Sequence, residues 1–149
     1  MADIRPVVGT NTSLTVTGLS TLASATYVAS NSINLTTNDP EDLLLDATVA
    51  TTNTPGTNKQ VVVFAQVSDD GSNWSTGPSS GTTTTDEPDL YVVGVIAVNT
   101  ASTNHRKWFS LASALGFMPK YVRFIFKNDL NVALTSATVN YAEVQRSIV

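Results

Sequence analysis

Cysteine is absent from this chain of 149 residues, histidine occurs once, and only 13% of the residues are charged, against about 25% in an average soluble protein. Without cysteine there is no disulfide framework, no thiolate metal site and no cysteine nucleophile. A single histidine excludes a metal centre that needs several imidazoles. The pI of about 4.6 argues against a general nucleic-acid binder, because phosphate contacts need clustered Lys and Arg.

Long apolar runs are missing as well. No stretch approaches the roughly 18 continuous apolar residues of a transmembrane helix, and no run of signal-peptide length follows Met1. We therefore expect no membrane contact and no secretion by that route. Neutral polar residues take the place of the charges, since 22 Thr, 15 Ser and 12 Asn make up a third of the chain.

The apolar residues recur with a period of two, which predicts strands, and Thr, Val, Ile and aromatic residues favour a pleated surface. Two segments alternate clearly, with Leu43, Leu45, Ala47 and Val49 on one face of the first and Val122, Phe124 and Phe126 on one face of the second. We expect both to be half-buried strands with one wet face.

Other strands are predicted less directly. The segments 61–67 and 90–98 are apolar on both faces, which predicts either central strands or strands in an oligomer interface. Weaker strand candidates are 14–18, 27–35, 108–111 and 134–144, and Leu111 to Leu115 could form one helical turn that ends at Gly116. About eight short strands between polar turns predict an all-β antiparallel sandwich or barrel.

The polar segments divide the chain. Residues 1–13 contain Pro6 and Gly9 and are expected to be a flexible N-terminal arm, followed by one domain over 14–149. Residues 75–89 form a long polar connection, which is expected to be functional or mobile.

The charges are segregated along the chain. Nine acidic residues and one lysine lie between Asp39 and Asp89, whereas five basic residues and no acid lie between His105 and Lys127. Two separate patches could steer the docking of a partner. Alternatively, the sandwich topology brings the two groups together in space.

Candidate catalytic residues have simpler interpretations. The pairs Asp69-Asp70 and Asp86-Glu87 lie beside turn signals, and Asp70-Gly71 is typical of a turn. His105 has no serine in a Gly-x-Ser-x-Gly turn to act on, and the spaced acidic pattern of a calcium loop is missing. We expect no catalytic residue, no metal, no cofactor and no enzyme activity. Trp74 and Trp108 could stack on sugar rings. The alternative is that Trp74 packs under its own turn and that Trp108 anchors a strand in the core.

Two elements resemble known families. The first is an apolar strand at 61–67 followed by Ser-Asp-Asp-Gly-Ser-Asn-Trp, and the second is the strand Tyr121-Val122-Arg123-Phe124. The pair is similar to discoidin-like and carbohydrate-binding jelly-roll modules. It also resembles the jelly-roll capsid cement proteins, or decoration proteins, of podophage-like particles. The high content of Thr, Ser and Asn and the closing strand 141–144 fit this second resemblance as well.

The phage resemblance implies a single antiparallel β-sandwich of jelly-roll type. It further implies a virion structural protein, made in the host cytoplasm, that stabilises the expanded major capsid protein lattice from the outer capsid surface. Copies would associate with the major capsid protein and with each other as dimers or trimers. The partner-binding residues expected on this basis are Ile4, Arg5, Pro6, Val7, Ser79, Asp86, Glu87, Asp89, Arg106, Lys107 and Arg123. The alternative is a carbohydrate-binding module for host attachment that uses Trp74 and Trp108.

Overall fold

The computed structural model describes residues 3–56 and 58–148, which form two antiparallel sheets packed together as a β-sandwich. In chain order the strands are β1 (Ile4–Val8), β2 (Thr12–Ser13), β3 (Tyr27–Ala29), β4 (Ile33–Asn34), β5 (Asp42–Ala50), β6 (Gln60–Ser68), β7 (Ser80–Gly81), β8 (Tyr91–Ala97), β9 (His105–Ser110), β10 (Tyr121–Asp129) and β11 (Ser136–Ile148). Short 3₁₀ turns occupy Leu19–Thr21 and Glu87–Asp89, and α1 spans Leu111–Leu115. The predicted all-β sandwich is confirmed.

Strands that are distant in sequence lie side by side in both sheets. The five-stranded sheet has the order β1-β11-β5-β9, with β2 also paired to β11. The six-stranded sheet has the order β7-β3-β10-β6-β8, with β4 also paired to β10. The strands β6 and β8 pair with each other, whereas the connections β5–β6, β8–β9, β9–β10 and β10–β11 cross from one sheet to the other.

The core lies between the two sheets and confirms the two alternating patterns. The alternate apolar residues of β5 and the matching residues of β10 are at most 1% exposed and belong to one hydrophobic cluster. Burying a side chain of this kind contributes about 1.5–3 kcal/mol, so the alternation fixes which face of each strand turns inward.

The outer face of β10 is less exposed than the predicted wet face, since its middle is covered while Tyr121, Arg123 and Lys127 remain partly exposed. Ile125 is fully buried in a second apolar cluster with Tyr27, Val62, Phe64 and Leu90. The connection between β6 and β8 covers this face, because β7 pairs with β3 and Leu90 joins the cluster. Part of the polar connection 75–89 therefore packs on the six-stranded sheet, and its predicted functional role or mobility stays a prediction.

The two segments that are apolar on both faces occupy different positions in the six-stranded sheet. The strand β6 is central and buried on both faces, as predicted. The strand β8 forms an edge of its sheet and leaves Tyr91 and Val92 exposed. Its prediction as a central strand was therefore wrong, whereas the alternative of a strand in an oligomer interface stays a prediction.

Three short segments differ in how well they match their predicted structure. Residues 14–18 are not a strand, although the Leu14 N–H bonds to the Val139 carbonyl. The helical turn is confirmed, since Ser110 caps α1 and Gly116 ends it with a φ of 77°. The arm predicted over 1–13 contains β1 and β2, while Met1, Ala2 and Val149 lie outside the described residues, and its flexibility stays a prediction.

Candidate functional site

The residues predicted to bind a partner lie in separate regions of the sandwich. Ile4, Arg5, Pro6 and Val7 lie in β1, at one edge of the five-stranded sheet. Arg106 and Lys107 lie in β9 at the opposite edge, and Arg123 lies in β10 of the other sheet. Ser79, Asp86, Glu87 and Asp89 lie in the connection between β6 and β8. The fold does not bring these residues together into one continuous surface.

The two ends of the described chain form an exposed ribbon. The strand β1 pairs with β11 from Ile4 opposite Ile148 to Val8 opposite Val144, whereas β5 pairs with β11 only as far as Val144. Residues 4–7 and 145–148, here called the terminal ribbon, therefore form a two-stranded extension of the sheet. Such a pair of strands is marginally stable by itself.

Apolar side chains are concentrated on and beside the terminal ribbon. Ile4, Val8 and Ile148 share one face, because Ile4 lies opposite Ile148 and alternate residues of a strand point the same way, and they are 60%, 56% and 74% exposed. Val7 lies on the other face and is 43% exposed. Clustered exposed apolar side chains mark sites of interaction with another molecule. The terminal ribbon is therefore the strongest candidate contact surface among the predicted partner-binding residues.

The acidic and basic segments pair with each other across the fold. Arg106 contacts Asp46 at 2.5 Å, Lys120 contacts Asp69 at 2.7 Å, and Lys127 contacts Glu87 at 2.7 Å. Each pair joins a residue of 105–127 to one of 39–89, so the interpretation that the topology mixes the two groups is confirmed.

A half-buried polar cluster lies under the connection between β6 and β8. The Tyr27 hydroxyl donates a hydrogen bond to Glu87, and the Lys127 Nζ donates to the same carboxylate over 2.7 Å. Burial and the hydrogen bond to Glu87 raise the pKa of Tyr27 to about 12. Burial alone would raise the pKa of Glu87, but hydrogen bonds from Lys127 and Tyr27 lower it below its usual value. The cluster fastens the 3₁₀ turn at Glu87–Asp89 to the six-stranded sheet.

Tyr27→Phe is expected to remove a tyrosine ionisation centred near pH 12. Because the folded pKa of Tyr27 lies above its usual 10.0, the protonated hydroxyl contributes stability that is complete below pH 10 and is lost as the pH rises toward about 12. Alkaline titration followed by tyrosinate absorbance measures this transition. It should persist in Tyr91→Phe, and its persistence in Tyr27→Phe would contradict the assignment.

The loop that carries Trp74 is organised by a turn at Asp70, as predicted. The Asp70 carboxylate accepts hydrogen bonds from the Asn73 and Ser72 backbone N–H groups, each at 2.8 Å. These bonds hold the pKa of Asp70 well below its usual value. Trp74 then forms an antiparallel bridge with Ser68, and the Arg123 guanidinium lies 4.7 Å from the centroid of the indole ring.

A surface pocket of about 510 Å³ opens beside Trp74. Its apolar lining includes Trp74, Phe117 and Met118, and its polar lining includes Asp69, Asn73 and Lys120. The sequence indicates Trp74 as a candidate but not the opposite wall, because the segment between Gly116 and Pro119 has the composition of a turn. Two consecutive large apolar residues inside a turn, Phe117 and Met118, were the signal for that wall.

The second tryptophan is on the surface and belongs to the other sheet, away from the strands beside this pocket. Trp108 lies in β9, opposite Asp46 of β5, and is 51% exposed. The Arg106 guanidinium, which bonds to Asp46, also lies 5.1 Å from the centroid of the Trp108 ring. The core-packing interpretation is wrong for Trp108, and the two tryptophans do not share a site.

The remaining chemical candidates have local roles. The His105 Nε2 lies 3.1 Å from the Thr100 carbonyl oxygen. Within 3–56 and 58–148, no group of three or more His, Asp or Glu side chains is arranged to hold a metal ion. None of the helices in those ranges has the length and apolar character that crossing a membrane requires.

Comparison with known proteins assigns no family to the sandwich. No protein-family model matches the chain, and no curated protein matches it.

Proposed function

We propose that this protein is a virion structural protein, a capsid cement or decoration protein that binds the expanded major capsid protein lattice without covalent bonds. The terminal ribbon is the observation that carries the proposal. It offers exposed apolar side chains and a free strand edge, and a partner can add a strand to such an edge through main-chain hydrogen bonds. A protein that binds only the expanded lattice stabilises that lattice by mass action.

The order of the strands supports a jelly-roll topology. If β2 continues β1 and β4 continues β3, the chain has eight principal strands and β7 is a short addition. The first, eighth, third and sixth then make one sheet, and the second, seventh, fourth and fifth make the other. This interleaved order supports the proposed jelly roll, a double sheet of eight strands built from two Greek keys.

The proposed partners are the major capsid protein and further copies of this chain, as dimers or trimers on a symmetry axis of the outer capsid surface. The terminal ribbon would bridge neighbouring capsid subunits. The internal ion pairs support a contact made through apolar and main-chain groups, because Arg106 and Glu87 are already engaged within the chain.

Val8→Asp is expected to weaken binding to expanded capsid shells at least tenfold, because it places a charge beside the terminal ribbon. The measurement is co-sedimentation of the purified chain with expanded and unexpanded shells of the major capsid protein from the same genome. Wild type should bind the expanded shells at a fixed ratio and leave the unexpanded shells unbound.

Val92→Asp is the matched control, because Val92 is 58% exposed on β8 and Val8 is 56% exposed on β1. Equal weakening of capsid binding by both substitutions would contradict the assignment of the terminal ribbon as the capsid-binding surface. Absence of wild-type binding to expanded shells would overturn the proposed function.

A further inference from the structure

We propose that the pocket beside Trp74 binds a neutral pyranose ring of a glycan. The pocket lies where β6 ends and where the segment before β10 passes it. Its volume of about 510 Å³ falls within the roughly 300–1,000 Å³ of small-molecule sites. The indole of Trp74 supplies a flat apolar surface for the C–H face of a sugar, and Phe117 and Met118 extend that surface.

Trp74 is already held in position before any ligand arrives. Its backbone is bridged to Ser68, and Arg123 lies over its ring at 4.7 Å. Arg123 is in turn fixed, because its Nε donates a hydrogen bond to the Gln66 Oε1 over 2.8 Å. Arg123 does not line the pocket, so the indole surface within the pocket stays available. Binding to a side chain that is already ordered costs less conformational entropy.

The polar groups of the pocket suit hydroxyl groups. The Asp69 carboxylate accepts hydrogen bonds, the Lys120 ammonium donates them, and the Asn73 amide can do both, so together they complement groups that donate and accept. Asp69 and Lys120 contact each other at 2.7 Å and their side chains are 86% and 58% exposed, which leaves them open to a ligand.

The charge of the pocket favours an uncharged ligand. Asp69 and Lys120 neutralise each other, and Asp70 is occupied by its own turn. A phosphate or sulfate would displace Lys120 from Asp69 and meet that carboxylate directly. A purely apolar ligand would leave the carboxylate and ammonium without new partners. The proposal is independent of capsid binding, since the terminal ribbon contributes no residue to the pocket.

The test uses the two tryptophans as separate reporters, because the chain contains only these two. Trp108→Phe leaves Trp74 as the sole indole, and Trp74→Phe leaves Trp108. Both variants and wild type are screened on a glycan array, and the soluble form of each bound glycan is then titrated while indole emission is recorded. We expect saturable binding with an emission change in Trp108→Phe, and binding at least tenfold weaker in Trp74→Phe.

Three outcomes would overturn the proposal. The first is the absence of glycan binding by the wild-type protein. The second is binding that survives Trp74→Phe but is lost in Trp108→Phe, which would place the site on β9. The third is concentration-dependent self-association that is lost in Trp74→Phe, which would assign the pocket to a second copy of the chain. Asp69→Asn should weaken glycan binding without lowering the stability of the fold, since the Asp69 side chain is exposed.

Discussion

Asn128→Asp is expected to lower the free energy of unfolding by about 3–5 kcal/mol at neutral pH, the cost of a buried charge without a counterion. Asn128 is fully buried at the end of β10. Its Nδ2 donates hydrogen bonds to the Leu22 and Val132 carbonyl oxygens, both at 2.8 Å, and its Oδ1 accepts one from the Leu130 N–H at 2.9 Å. A carboxylate in this place would face two carbonyl oxygens that it can only repel.

The pH dependence distinguishes the introduced charge from the lost hydrogen bonds. Burial would raise the folded pKa of the new carboxyl above the usual value of about 3.9, so the protonated form would be favoured by folding. The variant would therefore be least damaged below pH 4 and would lose stability as the pH rises through its folded pKa. Asn128→Ala lacks the ionisable group and should show no added pH dependence relative to wild type.

Urea denaturation of both variants and wild type at pH 4 and pH 7 measures the effect. A domain of this size has a total stability of about 5–15 kcal/mol, so the loss is readily detected. A midpoint for Asn128→Asp equal to that of wild type at pH 7 would contradict the role assigned to Asn128.

The structural role of Asn128 could not be predicted from the local sequence pattern. The dipeptide Asn128-Asp129 predicts a turn, yet both residues belong to β10. Turn propensity reflects the conformation of the adjacent backbone. It carries no information on the distant Leu22 carbonyl, which approaches Asn128 only after the sheets have assembled.

The strands likewise have some features that follow from the local sequence and others that depend on distant segments. The inward faces of β5 and β10 could be predicted because alternation is a property of one segment. The burial of Ile125 and the exposure of Val92 depend on which segment lies beside each strand, and both are set by the connection 75–89 and the sheet order. An apolar segment alone does not distinguish a central strand from an edge strand.

The candidate sites were predictable to a similar extent. Trp74 stands out in the sequence as an aromatic residue beside a turn, and Arg123 as a cation in a strand-forming segment. Their contact joins residues about fifty positions apart and requires the pairing of β6 with β10. The role of Gln66 could not be predicted from the sequence. A glutamine among valines does not indicate which two backbone carbonyl groups its amide will bond to in the folded chain.

Gln66→Leu is expected to lower the free energy of unfolding by about 2–4 kcal/mol, because each buried polar group that loses its partner costs about 1–3 kcal/mol. The Gln66 side chain is almost fully buried. Its Nε2 donates to the Ser75 and Gly77 carbonyl oxygens over 3.0 and 3.1 Å, and its Oε1 accepts from Arg123. Leucine fills a similar volume and replaces none of these bonds. Urea denaturation measures the loss, and a stability equal to that of wild type would contradict it.

Gln66→Glu separates the two functions of this side chain. The carboxylate keeps an acceptor for Arg123 but at neutral pH cannot donate to the Ser75 and Gly77 carbonyl groups. If Arg123 is what keeps Trp74 in position, indole emission in the Trp108→Phe background should shift in Gln66→Leu and stay near wild type in Gln66→Glu. An equal shift in both variants would assign the position of Trp74 to the loop bonds at Ser75 and Gly77 instead. Because this readout follows the ring and not a ligand, it tests whether the pocket is preorganised even if no glycan binds.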